Sequence, residues 1–381
     1  MYKSFFDKFH IGAYSLPKSV TNEHVRDLRE CCIDLVLSVR NDKSLLDSLK
    51  KHNVSAVVGG VLPWWFGADG KNAGTMHITN PIETYIARAA QFTDHSAIVG
   101  IDVGDEPSAL DFSHYGKVIE CMKEHFPNKL LYLNIYPSYG MLADAGHGQA
   151  RRELGTDTYR EYLTAYAENV DLPYLSFDHY LYSSDLTSFL SDLSDASSVA
   201  KEYGRHLMVV LQVNSKDKDV CISTDQLRFQ AWCALAFGVR AISWACYAPG
   251  WWHNCVLDIE GNKTEQYEKL KTVNNELCTF TDEYMRYTHV SARILRGSET
   301  DIIFGVTVSA DADVLVGSFT DDDGRTALLC VPLESDKNTS ISVESVDKMA
   351  ILYRTASDSE YRKIENGIIY AEKQPIFMYS E

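Results

Sequence analysis

Asp105 and Glu106 are adjacent carboxylates, followed by Pro107, at the end of an apolar run over residues 97–107. Side chains alternate between the two faces of a strand. With Ile101 and Val103 turned to one layer, Asp102, Gly104 and Glu106 turn to the other. A bulge or turn at the strand end would bring Asp105 to the same side as Glu106. Two like charges held that close resist ionising together, which is how neighbouring carboxyls divide into a proton donor and a charged partner. A second run, 172–182, places Ser176, Asp178 and Tyr180 on one face by the same alternation, and adds a third carboxylate. A protonated carboxyl beside a carboxylate is suited to glycosidic cleavage. One group protonates the leaving oxygen, and the other serves as nucleophile, as base for water, or as stabiliser of positive charge. Glu106 is the expected acid, with Asp105 or Asp178 as the second carboxylate.

The residues that end the neighbouring runs fit the same substrate. Asn134 and Tyr136 close the run 129–137, and Gln212 and Asn214 close 206–215. Tyr14, Arg40, the pair Trp64-Trp65, Tyr180 and Trp244 come from others. A pyranose has an apolar face that stacks on aromatic rings and a rim of hydroxyls that takes amide, carboxylate and guanidinium partners. The loops 66–79 and 248–263, the second carrying Trp251-Trp252, are expected to shape specificity. His10, His179, His206 and His253 lack the spacings of a barrel metal site, and His179 is expected to face the helix layer. No Gly-x-Ser-x-Gly elbow occurs. Neither a catalytic metal nor a cofactor is expected.

Eight strand-like runs carry these residues: 9–17, 33–40, 54–65, 97–107, 129–137, 172–182, 206–215 and 239–247. Between them, 22–32, 43–52, 81–93, 112–126, 156–169, 186–203 and 224–237 show apolar residues at helical spacing, several behind a Thr, Asn or Asp cap. Eightfold strand and helix alternation predicts a (β/α)8 barrel, an α/β fold whose active site lies on the C-terminal ends of its strands. After about residue 289 the pattern becomes short strands: 302–308, 314–319, 326–332, 340–343, 350–353, 367–371 and 375–379, parted by turns such as Asp321-Asp322-Asp323-Gly324. The expected division is a catalytic barrel over 1–289 and a small C-terminal antiparallel β-sandwich over 290–381.

Composition narrows the partners. The 381 residues include 53 Asp and Glu against 36 Lys and Arg, a net charge of -17 that repels phosphate-rich polymers, so nucleic acid is an unexpected ligand. No apolar stretch is long enough to span a bilayer, and the N-terminal residues lack a signal peptide's apolar core. Nine scattered cysteines, an odd number with no Cys-x-x-Cys, fit thiols in a reducing cytoplasm better than a disulfide framework. The expectation is a cytoplasmic protein, secretion requiring a leader that this sequence does not show, with a carbohydrate partner and an oligomeric state that is not readable.

The stretch Gly104-Asp105-Glu106-Pro107 resembles the acid/base motif on the fourth strand of TIM-barrel glycoside hydrolases, especially clan A and the β-galactosidase-like family 42, where Asn-Glu-Pro is common. Ser176-Phe177-Asp178-His179-Tyr180 resembles their sixth strand, and 226–247 resembles the helix and eighth strand that bring a tryptophan, here Trp244, to the sugar. The C-terminal strands are similar to their accessory domain. The resemblance implies hydrolysis of an O-glycosyl bond in a glycan or oligosaccharide. Two departures are visible: Asp105 stands in the Asn position, and the seventh run ends in Leu211-Gln212-Val213-Asn214 where those enzymes place a nucleophilic Glu.

An Asp-Glu pair on a fourth strand also resembles substrate-assisted N-acetylhexosaminidases, in which the Asp orients the substrate's acetamide, the Glu is acid/base, and Tyr180 or Tyr182 would complete the pocket. Inversion, with Glu106 as acid and Asp178 or Asp105 as base, is a third version. A non-catalytic carbohydrate-binding barrel is the reading from another class.

Overall fold

The computed structural model describes residues 2–65, 72–141, 153–334, 338–364 and 366–380. The chain packs as two compact units, residues 1–222 with 240–271, and residues 223–239 with 272–381.

The first unit is built on eight parallel strands: β1 (His10–Tyr14), β2 (Leu35–Arg40), β3 (Ser55–Gly59), β4 (Ile98–Asp105), β5 (Leu130–Asn134), β6 (Tyr174–His179), β7 (His206–Gln212) and β8 (Val239–Ala245). Each lies within one of the eight expected runs. They are hydrogen-bonded in the order β5-β4-β3-β2-β1-β8-β7-β6. The remaining gap between β5 and β6 is spanned by one bridge, in which Ile135 N–H donates to Ser176 O at 2.8 Å. The sheet is therefore a nearly closed barrel. Strands β5 and β6 are buried along their whole length, as parallel strands covered on both faces must be.

Helices α1 (Asn22–Glu30), α2 (Lys43–Lys51), α3 (Ile82–Ala89), α4 (Phe112–His125), α5 (Tyr159–Asn169) and α6 (Leu186–Glu202) alternate with the strands. Their starts are set locally. Thr21 and Thr158 form capping boxes with His24 and Glu161, while Asp42 and Asp185 accept the backbone N–H of Leu45 and Ser188. Among the described residues, no helix is long and apolar enough to cross a membrane.

The second unit holds α7 (Thr224–Ala236) and ten antiparallel strands. Strands β9 (Tyr287–Leu295), β12 (Val314–Asp321), β13 (Thr326–Pro332), β15 (Ile351–Thr355), β16 (Arg362–Lys363) and β18 (Ile376–Ser380) make one sheet. Strands β10 (Thr300–Ile303), β11 (Val306–Ala310), β14 (Ser340–Ser345) and β17 (Ile368–Tyr370) make the other. Both sheets feed one core, with Val308 and Ile341 from the smaller meeting Val316, Leu328 and Ile376 from the larger. The single run expected over 302–308 is two strands, because Phe304 and Gly305 take positive φ and turn the chain back into a hairpin.

Helix α7 is buried on every side from Leu227 to Ala236, and Gly317 lies so close that a Cβ there would sit 2.4 Å from Ala236 O. A further helix, α8 (Glu265–Tyr284), and strand β9 were not among the expected elements. Helix α8 shows the helical period plainly, since Tyr267, Leu270, Val273, Leu277, Phe280 and Tyr284 are all buried.

Candidate active site

The end of β4 is shaped by its register. Asp102 pairs with Tyr132 and Gly104 with Leu133, so one residue of β4 is extra between Asp102 and Gly104; the bulge comes earlier than the strand end where it was expected and puts Gly104 on the face opposite Asp102. Gly104 has φ +149, and a Cβ there would fall 2.1 Å from the Tyr115 hydroxyl and 2.9 Å from Trp65 O. Only glycine fits. Beyond it, Asp105 N–H donates to Trp65 O and Glu106 N–H donates to Asn134 O, both at 2.9 Å. Glu106 is held at φ +43, left-handed territory that costs a non-glycine residue ~1–3 kcal/mol. Tyr162 on α5 fixes the turn, its hydroxyl donating to Pro107 O at 2.7 Å and accepting Tyr136 N–H at 3.1 Å.

The result is a cluster of carboxyls at the C-terminal mouth of the first unit. Asn134 on β5 donates through Nδ2 to Asp178 Oδ1 at 2.8 Å and, more weakly, to Asp105 Oδ1 at 3.4 Å, while its Oδ1 accepts from Ser176 at 3.1 Å. The Glu106 and Asp178 side chains are in hydrogen-bonding contact. Deeper in the barrel, Asp102 accepts the Ser38 hydroxyl and Gly104 N–H.

Burial and mutual repulsion keep protons on these groups. Glu106 is pushed far above the usual glutamate range, first by burial, then by Asp178 and Asp105, with Glu153 adding to the same direction. Asp105 is pushed up to about 8 by burial, Asp178 and Asp102, against a small opposing effect from Asn134. Asp102 rises to about 6 through burial. Asp178 is also raised by burial, but unlike Glu106 and Asp105 it collects several groups that favour its charge: the Asn134 amide, His179 and the Tyr180 hydroxyl. Tyr139 adds a long contact from its hydroxyl at 3.5 Å. Glu106 thus holds a proton most firmly, and Asp178 is the better equipped to be an anion.

Glu106, Asp105, Asp178, Asn134, Tyr14 and Tyr180 come together. The Tyr14 hydroxyl is driven upward by burial and by Asp105, Asp102 and Asp178. Tyr14 and Tyr180 also pack beside Val210, Ala245, Cys246 and Cys255. Other expected contacts lie elsewhere. Trp244 has no exposed surface, and because Ala245 faces the cluster with Tyr14 and Tyr180, alternation puts Trp244 on the opposite face of β8. The Tyr136 ring is buried beside Tyr162.

Trp65 is buried and contributes its carbonyl, whereas Trp64 is exposed. Gln212 is engaged in structure, accepting Tyr182 N–H and donating to Ser183 Oγ and Asn214 O, and Asn214 donates to Trp251 O at 2.6 Å. Arg40 is exposed and donates to Lys18 O at 2.7 Å rather than pairing with Asp105. His179 faces away from the mouth, between Asp192 at 2.7 Å and Ser184 at 2.8 Å.

The aromatic rings at the mouth are Trp251 and Trp252. Trp251 packs 5.6 Å from Tyr14 and 6.4 Å from Tyr180, and Trp252 packs 5.2 Å from Tyr180. Of the loop 66–79, residues 66–71 lie outside the described residues, and Gly74 and Met76 are tied to Asp111 by their N–H groups. Ser38, Tyr139 and Tyr162 join the site without having been singled out, and Asp102, read as turned to the Glu106 side of β4, lies there as well. The two tryptophans had a visible signal, an adjacent pair just after the eighth run. Among the described residues, no cluster of three or more His, Cys, Asp or Glu is arranged to hold a metal ion.

No family model matches the chain, and no curated protein matches it by sequence. Solved structures do resemble it. A cycloisomaltooligosaccharide glucanotransferase from Paenibacillus sp. is 8% identical and aligns over 98% of this chain and 85% of its own with a TM-score of 0.61. A family 27 β-L-arabinopyranosidase from Geobacillus stearothermophilus is 10% identical over 100% of this chain and 99% of its own, TM-score 0.54. An exo-β-1,4-mannosidase from Opitutaceae bacterium strain TAV5 is 15% identical over 74% of this chain and 61% of its own, TM-score 0.50. At such identities the likeness is one of fold, the barrel with its β-rich C-terminal part.

Proposed function

We propose that this protein is a glycoside hydrolase in which Glu106 is the general acid/base and Asp178 the second carboxylate. The observation that carries the reading is the contact between a half-buried carboxyl and a buried one with opposite surroundings. Glu106 is faced by Asp178, Asp105 and Glu153, while Asp178 is served by Asn134 and Tyr180. Their place at the C-terminal mouth of a barrel, beside Tyr14, Tyr180 and Trp251, supports a sugar as substrate. That solved structures of the same fold carry names of glycan-active enzymes agrees with this.

In the proposed reaction the Glu106 carboxyl protonates the leaving oxygen as the glycosidic bond breaks. Asp178 then meets the positive charge that develops at the anomeric carbon. Strand β7 offers no carboxylate, Gln212 being engaged with the loop after β6, so Asp178 fills that role. Retaining enzymes separate their carboxyls by ~5–5.5 Å and inverting ones by ~6.5–9.5 Å. Side chains in direct contact leave no room for a water between them, which favours the retaining arrangement. Retention with Asp178 as nucleophile is the expected outcome.

The test is a panel of aryl glycosides, N-acetylhexosaminides included, with Glu106→Gln and Asp178→Asn alongside and the first-formed anomer read by NMR. Turnover that both substitutions abolish, with retained configuration, is expected. Turnover confined to N-acetyl sugars and indifferent to Asp178→Asn would transfer the second role to Asp105 and the substrate's acetamide. Glycan binding without turnover on any sugar would point to the non-catalytic barrel.

A further inference from the structure

Next to the carboxyl cluster, the ends of β1 and β2 and the residues that follow enclose a groove of about 480 Å³ whose lining includes Lys18, Ser38, Arg40 and Asp42. Ser38 ties this groove to the cluster, because its hydroxyl donates to Asp102 and also lies in hydrogen-bonding contact with Tyr14. Ser38 has φ +52 where β2 slips in register against β3, and that bend opens the groove beside the strand end.

The groove differs from the cluster in the sign of its charge. In a chain with 53 acidic and 36 basic residues, Lys18 and Arg40 both reach one small groove. Neither forms an ion pair among the described residues, and Arg40 spends one N–H on the Lys18 carbonyl. The one carboxylate in the lining, Asp42, caps α2, accepting Leu45 N–H at 2.9 Å and Ser44 Oγ at 2.6 Å, and feels the Arg40 charge only as the weakest of its stabilising influences. The Arg40 guanidinium keeps donors free in a fork that matches a planar or tetrahedral anion. Strands β2 and β4 are two positions apart, so the groove begins roughly 10 Å from Glu106 across the sheet.

We propose that this groove is a subsite for an anionic substituent of the glycan, a sugar carboxylate or a sulfate ester, one or more rings from the bond that is cleaved. The proposal rests on the glycosidase reading and names its substrate class. It explains why a site so rich in carboxyls has cations at its edge: they draw the negative group of the substrate to the groove and away from the repulsive cluster, which fixes the register of the chain.

The experiment is a calorimetric titration of the full protein with matched probes. One pair is a xylo-oligosaccharide bearing a single glucuronic acid and the same oligosaccharide with that carboxyl reduced to the alcohol. The other is a sulfated galacto-oligosaccharide and its desulfated twin. At least one charged probe is expected to bind about tenfold more tightly than its neutral twin, and Lys18→Ala with Arg40→Ala to erase the preference. Both residues are on the surface, so the double variant folds, and Arg40→Lys keeps the charge while losing the fork. Which pair responds tells carboxylate from sulfate. Equal binding of charged and neutral twins, a preference that survives the double substitution, or no binding of either charged probe at millimolar concentration overturns the subsite. Failure of the glycosidase reading shows up separately, as neutral glycosides whose turnover is unchanged by Glu106→Gln.

Discussion

Replacing Asp105 by Asn should make the protein more stable, and increasingly so as the pH rises. Asp105 is only partly exposed and faces Asp178 and Asp102 with one weak donor, Asn134 at 3.4 Å, and its pKa is pushed up to about 8. In the unfolded chain the same carboxyl ionises near 3.9. Between these values the folded state holds a proton that the unfolded state has released, so stability falls with rising pH across that window and the penalty is complete above about 8. Each decade is worth ~1.4 kcal/mol, which sets a ceiling of ~5–6 kcal/mol. Solvent reaches part of the carboxyl and the charge is shared with its neighbours, so ~1–2 kcal/mol is the expected gain at the alkaline end. Denaturant midpoints of wild type and Asp105→Asn, measured from about pH 5 to about pH 9, read this directly. The two curves should nearly meet at the acid end and separate toward the alkaline end with the variant higher. A variant no more stable than wild type at the alkaline end, or a gap that ignores pH, would refute the reasoning.

Three more outcomes follow from the same geometry. Asp105 helps to raise the Glu106 pKa, so Asp105→Asn should move the alkaline limb of the pH dependence of kcat/KM to lower pH; a limb that stays put or rises would remove Asp105 from the electrostatics of the acid. Tyr162→Phe strips two buried hydrogen bonds from the turn that carries Glu106, and should cost about 1–3 kcal/mol and lower kcat far more than it raises KM. Unchanged kcat would show that the turn holds itself. Gly104→Ala forces a Cβ to 2.1 Å from the Tyr115 hydroxyl at φ +149, and should destabilise by more than about 2 kcal/mol. A thermal midpoint within experimental error of wild type would mean that the bulge tolerates a side chain.

How far the sequence could be read depended on whether polar residues marked the faces of a strand. In β4 the apolar Ile101 and Val103 marked the face of Asp102, but the register slips between Asp102 and Gly104, before the strand end, so Gly104 pairs with Leu133 and Asp105 with Asn134, a change of phase that alternation alone does not give. The alternation of β6 delivered Asp178 to the cluster and His179 to the helix side. Strand β8 offers one small mark, Ser243, which shares the face of Ala245 and is easily outweighed by the chemistry of Trp244. Ala241, Ile242, Trp244 and Ala245 are all buried, as in any parallel strand covered on both faces, so the apolar residues do not say that Ala245 and not Trp244 looks into the mouth.

Gln212 and Asn214 have the right chemistry for a sugar, yet they serve neighbouring loops, a use decided by loop paths that no periodicity encodes. Tyr162 is one of three aromatic residues that follow each other closely in α5. Its link to Pro107, 55 residues away, exists only once the fold is formed. Helix α8 carries its apolar residues at helical spacing, directly after a loop whose tryptophans carry no periodicity.

The central claim is that Glu106 gives its proton to the leaving oxygen, and substrates of one sugar with different leaving groups test it most directly. Glu106→Gln should lose orders of magnitude in kcat/KM on a methyl or unactivated aryl glycoside, and far less on a dinitrophenyl glycoside, whose leaving oxygen needs no proton. Equal losses on both substrates, or near-normal turnover of the unactivated one, would contradict the assignment of Glu106 as the acid.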